Sequence, residues 1–154
     1  MIKSSVIQFF QSQHFIIAST IDRKGYPHNS CKGVVDIDKN GKIYLLDLYV
    51  GKTYENLKKN SYISITAVDE HKFEGYCFKG KAKRMPRNKV NKRISKLWDD
   101  KIISRISHRL LKNMRGEKGR KIHPEALLPG PTYLIEVHVE EIIDLLPGHI
   151  KRKA

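Results

Sequence analysis

The sequence predicts a mainly β protein, a six-stranded antiparallel barrel with a helical insert before its last strand. Three observations carry this. Five short segments rich in β-branched and aromatic residues follow one another within the first 84 positions, joined by turns and one small helix. Helical periodicity then runs from Arg87 to Arg115, and a last β-type segment, Thr132 to Val139, comes after it. Consecutive hairpin strands make antiparallel sheet. Six of them in 154 residues remove their edges by closing into a barrel, or by pairing edges between two chains.

Each element has its own reason. Ser4 to Gln13 reads as a short helix with Val6, Ile7, Phe9 and Phe10 on its inner side. His14 to Ile21 is apolar and β-branched, a strand. Asp22 to Gly25 makes a hairpin turn, because Gly25 can take the positive φ such turns need. Tyr26 to Asp38 is the second strand, polar early and apolar late. Lys39-Asn40-Gly41 turns the chain, and Lys42 to Leu48 is the third strand. Gly51 to Asn60 changes period to a short helix that Thr53 can cap. Tyr62 to Val68 alternates two faces, a fourth strand. Phe73 to Arg84 is the fifth, ended by Pro86.

In the insert, Val90, Ile94 and Leu97 form one apolar stripe and Ile103, Ile106, Leu110 and Met114 another. The phase slips near Asp99-Asp100, so two helices or one kinked helix both satisfy the pattern. Residues 116–131 read as a Gly/Pro-rich loop, Glu140 to Leu146 as a terminal turn or helix, and Lys151 to Lys153 as a basic tail.

Length and composition bound the rest. The chain is one domain's worth, and its 40% hydrophobic share supports a packed core. Two cysteines, Cys31 and Cys77, cannot build a disulfide framework, and no histidine sits at metal-ligand spacing. No apolar run is long enough to span a membrane, and Met1 to Phe10 lacks a signal-type cleavage site. The expectation is a cytoplasmic protein without a metal.

The net charge of +14 is concentrated. Phe78 to Lys121 holds seventeen Lys and Arg against three acids, a surplus of fourteen, so the remaining residues are neutral as a set. Such a block can meet nucleic acid, an anionic surface or a phosphate-bearing ligand, and it can equally be a solvated helical face.

Two polar stretches carry chemistry. Gly51-Lys52-Thr53 looks like the end of a phosphate loop, but Leu46 stands where such a loop needs glycine. What remains is a lysine and a threonine at a helix start, where free N–H groups can hold a phosphate. The run Pro27-His28-Asn29-Ser30-Cys31-Lys32 places polar residues in a strand otherwise suited to burial, where they line a ligand groove or a solvent-facing edge. His138, between Val137 and Val139, faces outward by alternation, and both cysteines default to small apolar side chains within strands.

An ordered set of motifs adds a resemblance. The segments FIIASTIDRKGYPHNS, GKIYLLDLYVGKTYENLKKNSYISITAVD and YCFKGKAKR hold an Ala-Ser/Thr strand, an Asp-x-x-Gly-x-Pro hairpin, a Lys-Thr-x-x-Asn-Leu helix and a Lys-Gly-x-Ala strand. Over residues 6–84, together with TYLIEVHVEEIIDL, the chain resembles the FMN-binding Greek-key split barrel of the pyridoxamine 5′-phosphate oxidase-like superfamily. The resemblance implies a homodimer with FMN at the subunit interface. By analogy Lys52 and Thr53 would bind the FMN phosphate. His28, Asn29, Ser30 and Cys31 would lie along the phosphate, ribityl chain or ring. The stretch 46–51, with Leu48, Tyr49, Val50 and Gly51, would approach the isoalloxazine through backbone groups. The basic substrate-binding signature of true pyridoxamine phosphate oxidases is not evident in residues 147–154, which argues against that particular reaction.

The function this implies is an FMN-dependent oxidoreductase of unknown substrate. The flavin would carry hydride or electrons and the protein would bind and orient it. Tyr26, His28, Tyr49 and Tyr54 are open as proton donors. Other readings stand beside it: a non-enzymatic flavin or electron carrier, a related cofactor such as a deazaflavin or haem, or nucleic-acid binding through the basic helices, for which base-reading motifs are absent.

Overall fold

A computed structural model describes residues 1–47, 50–114 and 132–148, with backbone alone at 105, 106 and 108–114. Its elements, in chain order, are α1 (Ser4–Ser12), β1 (Ile16–Ile21), β2 (Pro27–Ile37), β3 (Lys42–Leu46), α2 (Lys52–Lys59), β4 (Tyr62–Asp69), β5 (Glu74–Pro86), a 3₁₀ turn (Arg87–Lys89), α3 (Lys92–Met114) and β6 (Tyr133–Asp144). The strands form a closed antiparallel barrel in the order β1-β2-β3-β6-β5-β4. The last strand thus inserts between the third and the fifth, and no edge remains.

The turns form where the sequence expects them. Gly25 and Gly41 take φ of +86° and +88°, and Asp22 and Asp38 bond the backbone N–H groups two and four residues on. These are positions a side chain adopts only under strain.

Alternation then divides each strand. Inward residues, among them Ile16, Ala18, Ile43, Leu45, Ile63, Ile65, Phe78, Ile135 and Val137, make the barrel core. Helix α1 adds Phe9 and Phe10, and Phe10 stacks on Phe78 with ring centres 4.3 Å apart. A second apolar cluster lies outside the barrel, where Ile94 and Trp98 of α3 pack on Tyr44, Leu46 and Leu134. These three alternate with Ile43, Leu45 and Ile135, so β3 and β6 are apolar on both faces, as a covered sheet requires.

Four expectations change. β6 does not give way to a turn or helix after Val139. It continues to Asp144, pairing with Tyr76 to Lys79 of β5 beyond a bulge at Lys79/Gly80. The bulge breaks the two-residue alternation, which hides the strand in the sequence. α3 is one continuous helix. Its described inner side carries Ile94, Leu97, Trp98 and Ile102, which continue across Asp99-Asp100, and Ile103 is 62% exposed. The Gly51 backbone occupies the N-cap of α2, and Thr53 sits inside the first turn without capping it. Cys31 is exposed and Cys77 half-buried, so neither is a core residue. Outside the described residues lie Leu48, Tyr49, the expected loop 116–131, the basic tail, and the side chains of Ile106, Leu110 and Met114.

The basic segment is partly neutralised within the fold. Lys79, Lys81 and Lys83 of β5 face Glu141, Glu140 and Glu136 of β6 at 3.2, 3.7 and 2.9 Å. Arg93 reaches Asp36 at 2.6 Å and Arg87 reaches Asp99 at 2.5 Å. Burial alone would raise Glu136, but the Lys83 ammonium, helped by the Tyr44 hydroxyl, holds its carboxyl below the usual range. No described helix is long and apolar enough to cross a membrane.

Candidate functional site

The start of α2 brings two of the predicted residues, Ser30 and Thr53, into contact. Gly51 enters the helix in an extended conformation, and no side chain caps the first turn. The first N–H groups of a helix have no partner within it, and together they carry a partial positive charge. Lys52 and Gly51 are exposed beside them, and Val50 is 66% exposed. Thr53 is buried, and its hydroxyl lies 2.8 Å from the Ser30 hydroxyl on β2. One turn later Asn56, also buried, donates from Nδ2 to Thr20 Oγ1 of β1 at 3.0 Å, and Leu57 enters the core. Directional bonds to β1 and β2 therefore fix how this helix meets the barrel.

The polar run of β2 does not act as one surface. His28, Ser30 and Lys32 point to the side that α2 and the core occupy, whereas Asn29 and Cys31 point away. On that outer side Asn29 Oδ1 accepts from Ser19 Oγ at 2.6 Å. Two-residue alternation makes this split unavoidable in a regular strand. Ser30 and Thr53 are brought together, with Lys52 next to Thr53 in the chain, while Asn29 and Cys31 are not brought to that point. Across the ladder His28 faces Thr20, the acceptor of the Asn56 bond. Asp22, in the adjacent hairpin, is held below the ordinary carboxylate value by the Tyr26 N–H first, then by the Lys24 N–H and the charges of Lys24 and Lys52.

Sequence reasoning missed a fully buried carboxylate here. Asp47, the residue after β3, is 1% exposed. Lys32 Nζ donates to its Oδ1 at 2.7 Å, and the Tyr133 hydroxyl of β6 donates to its Oδ2. Burial, then the hydrogen bond and charge of Asp47, push the Tyr133 hydroxyl well above the ordinary tyrosine value. The Tyr133 ring meets Tyr54 of α2 edge to face at 5.0 Å, and Arg84 and Lys58 lie over the Tyr54 ring at 4.5 and 4.8 Å. The available signal was phase: Lys32 falls on the same side of β2 as His28 and Ser30, so its charge had to find a partner inside.

A second feature lies on the outer face of the sheet. A groove of about 390 Å³ runs over β1, β4, β5 and β6, lined in part by Ser19, Ile21, Tyr62, Ser64, Lys79 and Glu141. None of the eight predicted binding residues that the structure describes lines it. The same face exposes Ile17, Tyr62 and Val68.

This arrangement can hold an anion at a helix start and can flank it with hydroxyls and a cation. The comparisons with known proteins agree with the architecture. The structure is similar to HupZ of Group A Streptococcus, at 21% identity and a TM-score of 0.64 over 96% of this chain and 97% of that one. It is similar to an FMN-binding protein of Syntrophomonas wolfei subsp. wolfei, at 12% identity and a TM-score of 0.59 over 92% and 86%. It is also similar to HutZ, the haem storage protein of Vibrio cholerae, at 16% identity and a TM-score of 0.57 over 92% of both. These likenesses concern the fold. No curated protein sequence matches the chain. The sequence profile described as pyridoxamine 5′-phosphate oxidase matches residues 2–145, nearly the whole length, and the chain belongs to that family.

Proposed function

We propose that the protein binds FMN through its phosphate at the start of α2, as a homodimer with the flavin at the subunit interface, and acts as an FMN-dependent oxidoreductase. The observation that carries this is the uncapped first turn of α2 beside Lys52 and the Ser30–Thr53 hydroxyl pair. A dianionic phosphate needs N–H donors, hydroxyls and a cation together, and these residues fit it. Lys52 supplies the charge, and Thr53 and Ser30 supply hydroxyls already held by each other. Asn56 keeps the helix seated on β1. Bound FMN would supply hydride or electron transfer; the chain binds and orients it. The exposed Ile17, Tyr62 and Val68 on one sheet face support a second copy as the cover.

The test is the visible absorption spectrum after FMN is added and the protein desalted, with mass in solution measured in parallel. A retained two-banded flavin spectrum is expected. Lys52→Ala with Thr53→Ala should weaken FMN about 10- to 100-fold, the loss of one or two charge-assisted bonds. Failure to retain FMN, or retention unaffected by the double change, overturns this reading. A single intense haem-type band in its place would favour the cofactor named for HutZ.

A further inference from the structure

We propose that Lys32, Asp47 and Tyr133 form a buried clamp that positions the start of α2 for its anionic ligand. This deepens the phosphate-site reading and rests on it. Four residues separate Asp47 from Lys52. Both ends of that connection are tied to one tyrosine. Ahead of it, the Tyr133 hydroxyl bonds Asp47 Oδ2. Behind it, the Tyr133 ring abuts Tyr54, the third residue of α2. Lys32 completes the clamp from β2, two residues from Ser30 on the same side of the strand. The clamp therefore references the helix start to β2, β3 and β6 at once, and Ser30 and Thr53, which meet at 2.8 Å, each lie within a few residues of one of its members in the chain.

A buried ion pair is weak grounds for stability, because its desolvation offsets its attraction and an apolar replacement often serves as well. What such a pair supplies is direction. Asp47 has both oxygens engaged, each from a different strand, so its place at the end of β3 is over-determined. Anion recognition by backbone N–H groups depends on placement to a fraction of an ångström. Tyr133 is thus a positioning residue that acts through Asp47 and Tyr54.

Tyr133→Phe tests this, since it keeps the ring and removes the hydroxyl. Two readouts separate the clamp from the ligand reading. In ligand-free protein, hydrogen exchange of the α2 amides Asn56–Lys59 should quicken about tenfold, with the β1–β2 hairpin unchanged. In binding, the ratio of FMN to riboflavin affinity should fall about tenfold, with riboflavin, which lacks the phosphate, unchanged. Unaltered α2 exchange overturns the clamp whatever the ligand does. Faster exchange with an unaltered affinity ratio upholds the clamp and overturns its link to phosphate. An equal loss for both ligands overturns that link too. Should Tyr133→Phe fail to fold, the paired change Lys32→Met with Asp47→Asn removes both charges at similar volume and is read the same way.

Discussion

The two helices that flank the barrel wall are held by opposite means. α2 is fixed by bonds with direction: Thr53 to Ser30, Asn56 to Thr20, and the Lys32–Asp47–Tyr133 group beneath it. α3 is fixed by area: Trp98 and Ile94 lie fully buried on Leu46 and Leu134, and the polar contacts stand at the rim, Arg93 with Asp36 and Arg87 with Asp99. Even the Trp98 Nε1 donor, fully buried, has no hydrogen-bond partner among the described residues. Apolar packing tolerates such an orphan because surface removed from water dominates. On one side of the barrel bonds with direction hold the helix, and on the other apolar contact does.

Three measurements test that contrast. The largest effect belongs to Lys32→Met, which leaves the Asp47 carboxylate buried without its cation. About 3–5 kcal/mol of stability should go, read by denaturant unfolding, and the double change with Asp47→Asn should restore most of it. A double variant as unstable as the single one would mean that the group acts through packing, and the contrast fails. Next, Trp98→Ala should cost about 3–5 kcal/mol through the cavity it leaves. The fraction that stays folded should bind FMN as before, because Trp98 packs on Tyr44, Leu46 and Leu134. Altered FMN affinity in folded Trp98→Ala protein would show that the two sides are coupled.

The smallest effect is on pH. Tyr133 holds its proton more tightly folded than unfolded. Its contribution is therefore complete below about pH 10, where an unfolded tyrosine titrates, and is lost as pH rises beyond that. Unfolding followed from pH 8 to 11 should show a decline that is shallower in Tyr133→Phe. Parallel slopes in the two proteins would remove Tyr133 as the cause.

Much of the fold was legible because its signals are local. Gly25 and Gly41 mark the hairpins, and β-branched runs mark the strands between them. The end of β6 was not legible, because the Lys79/Gly80 bulge disguises the alternation of its partner ladder. In the insert, the stripe Val90, Ile94 and Leu97 packs on the barrel as the period expects, Trp98 joins it, and Ile103 of the second stripe is exposed instead. For the site, Lys52, Thr53 and Ser30 were found from residue type and helix punctuation. Asn29 and Cys31 were grouped with them although strand period sends them to the other face. Asp47 could not be found this way. Its partners lie 15 and 86 residues off in sequence, and only the closed barrel brings them together.

Gly80 gives the bulge a further meaning. A Cβ there would overlap the His138 carbonyl, so β5 and β6 approach at that point as only a glycine allows. This pairing, the longest among the described residues, joins segments separated by the whole of α3 and residues 115–131. During synthesis β1 to β5 leave the ribosome first and can pair with sequence neighbours, with β3 and β5 standing as bare flanks. Until residue 133 follows, the nascent chain is an unclosed sheet with two sticky borders. The interval in which it is open to misassociation is set by the length of the basic insert.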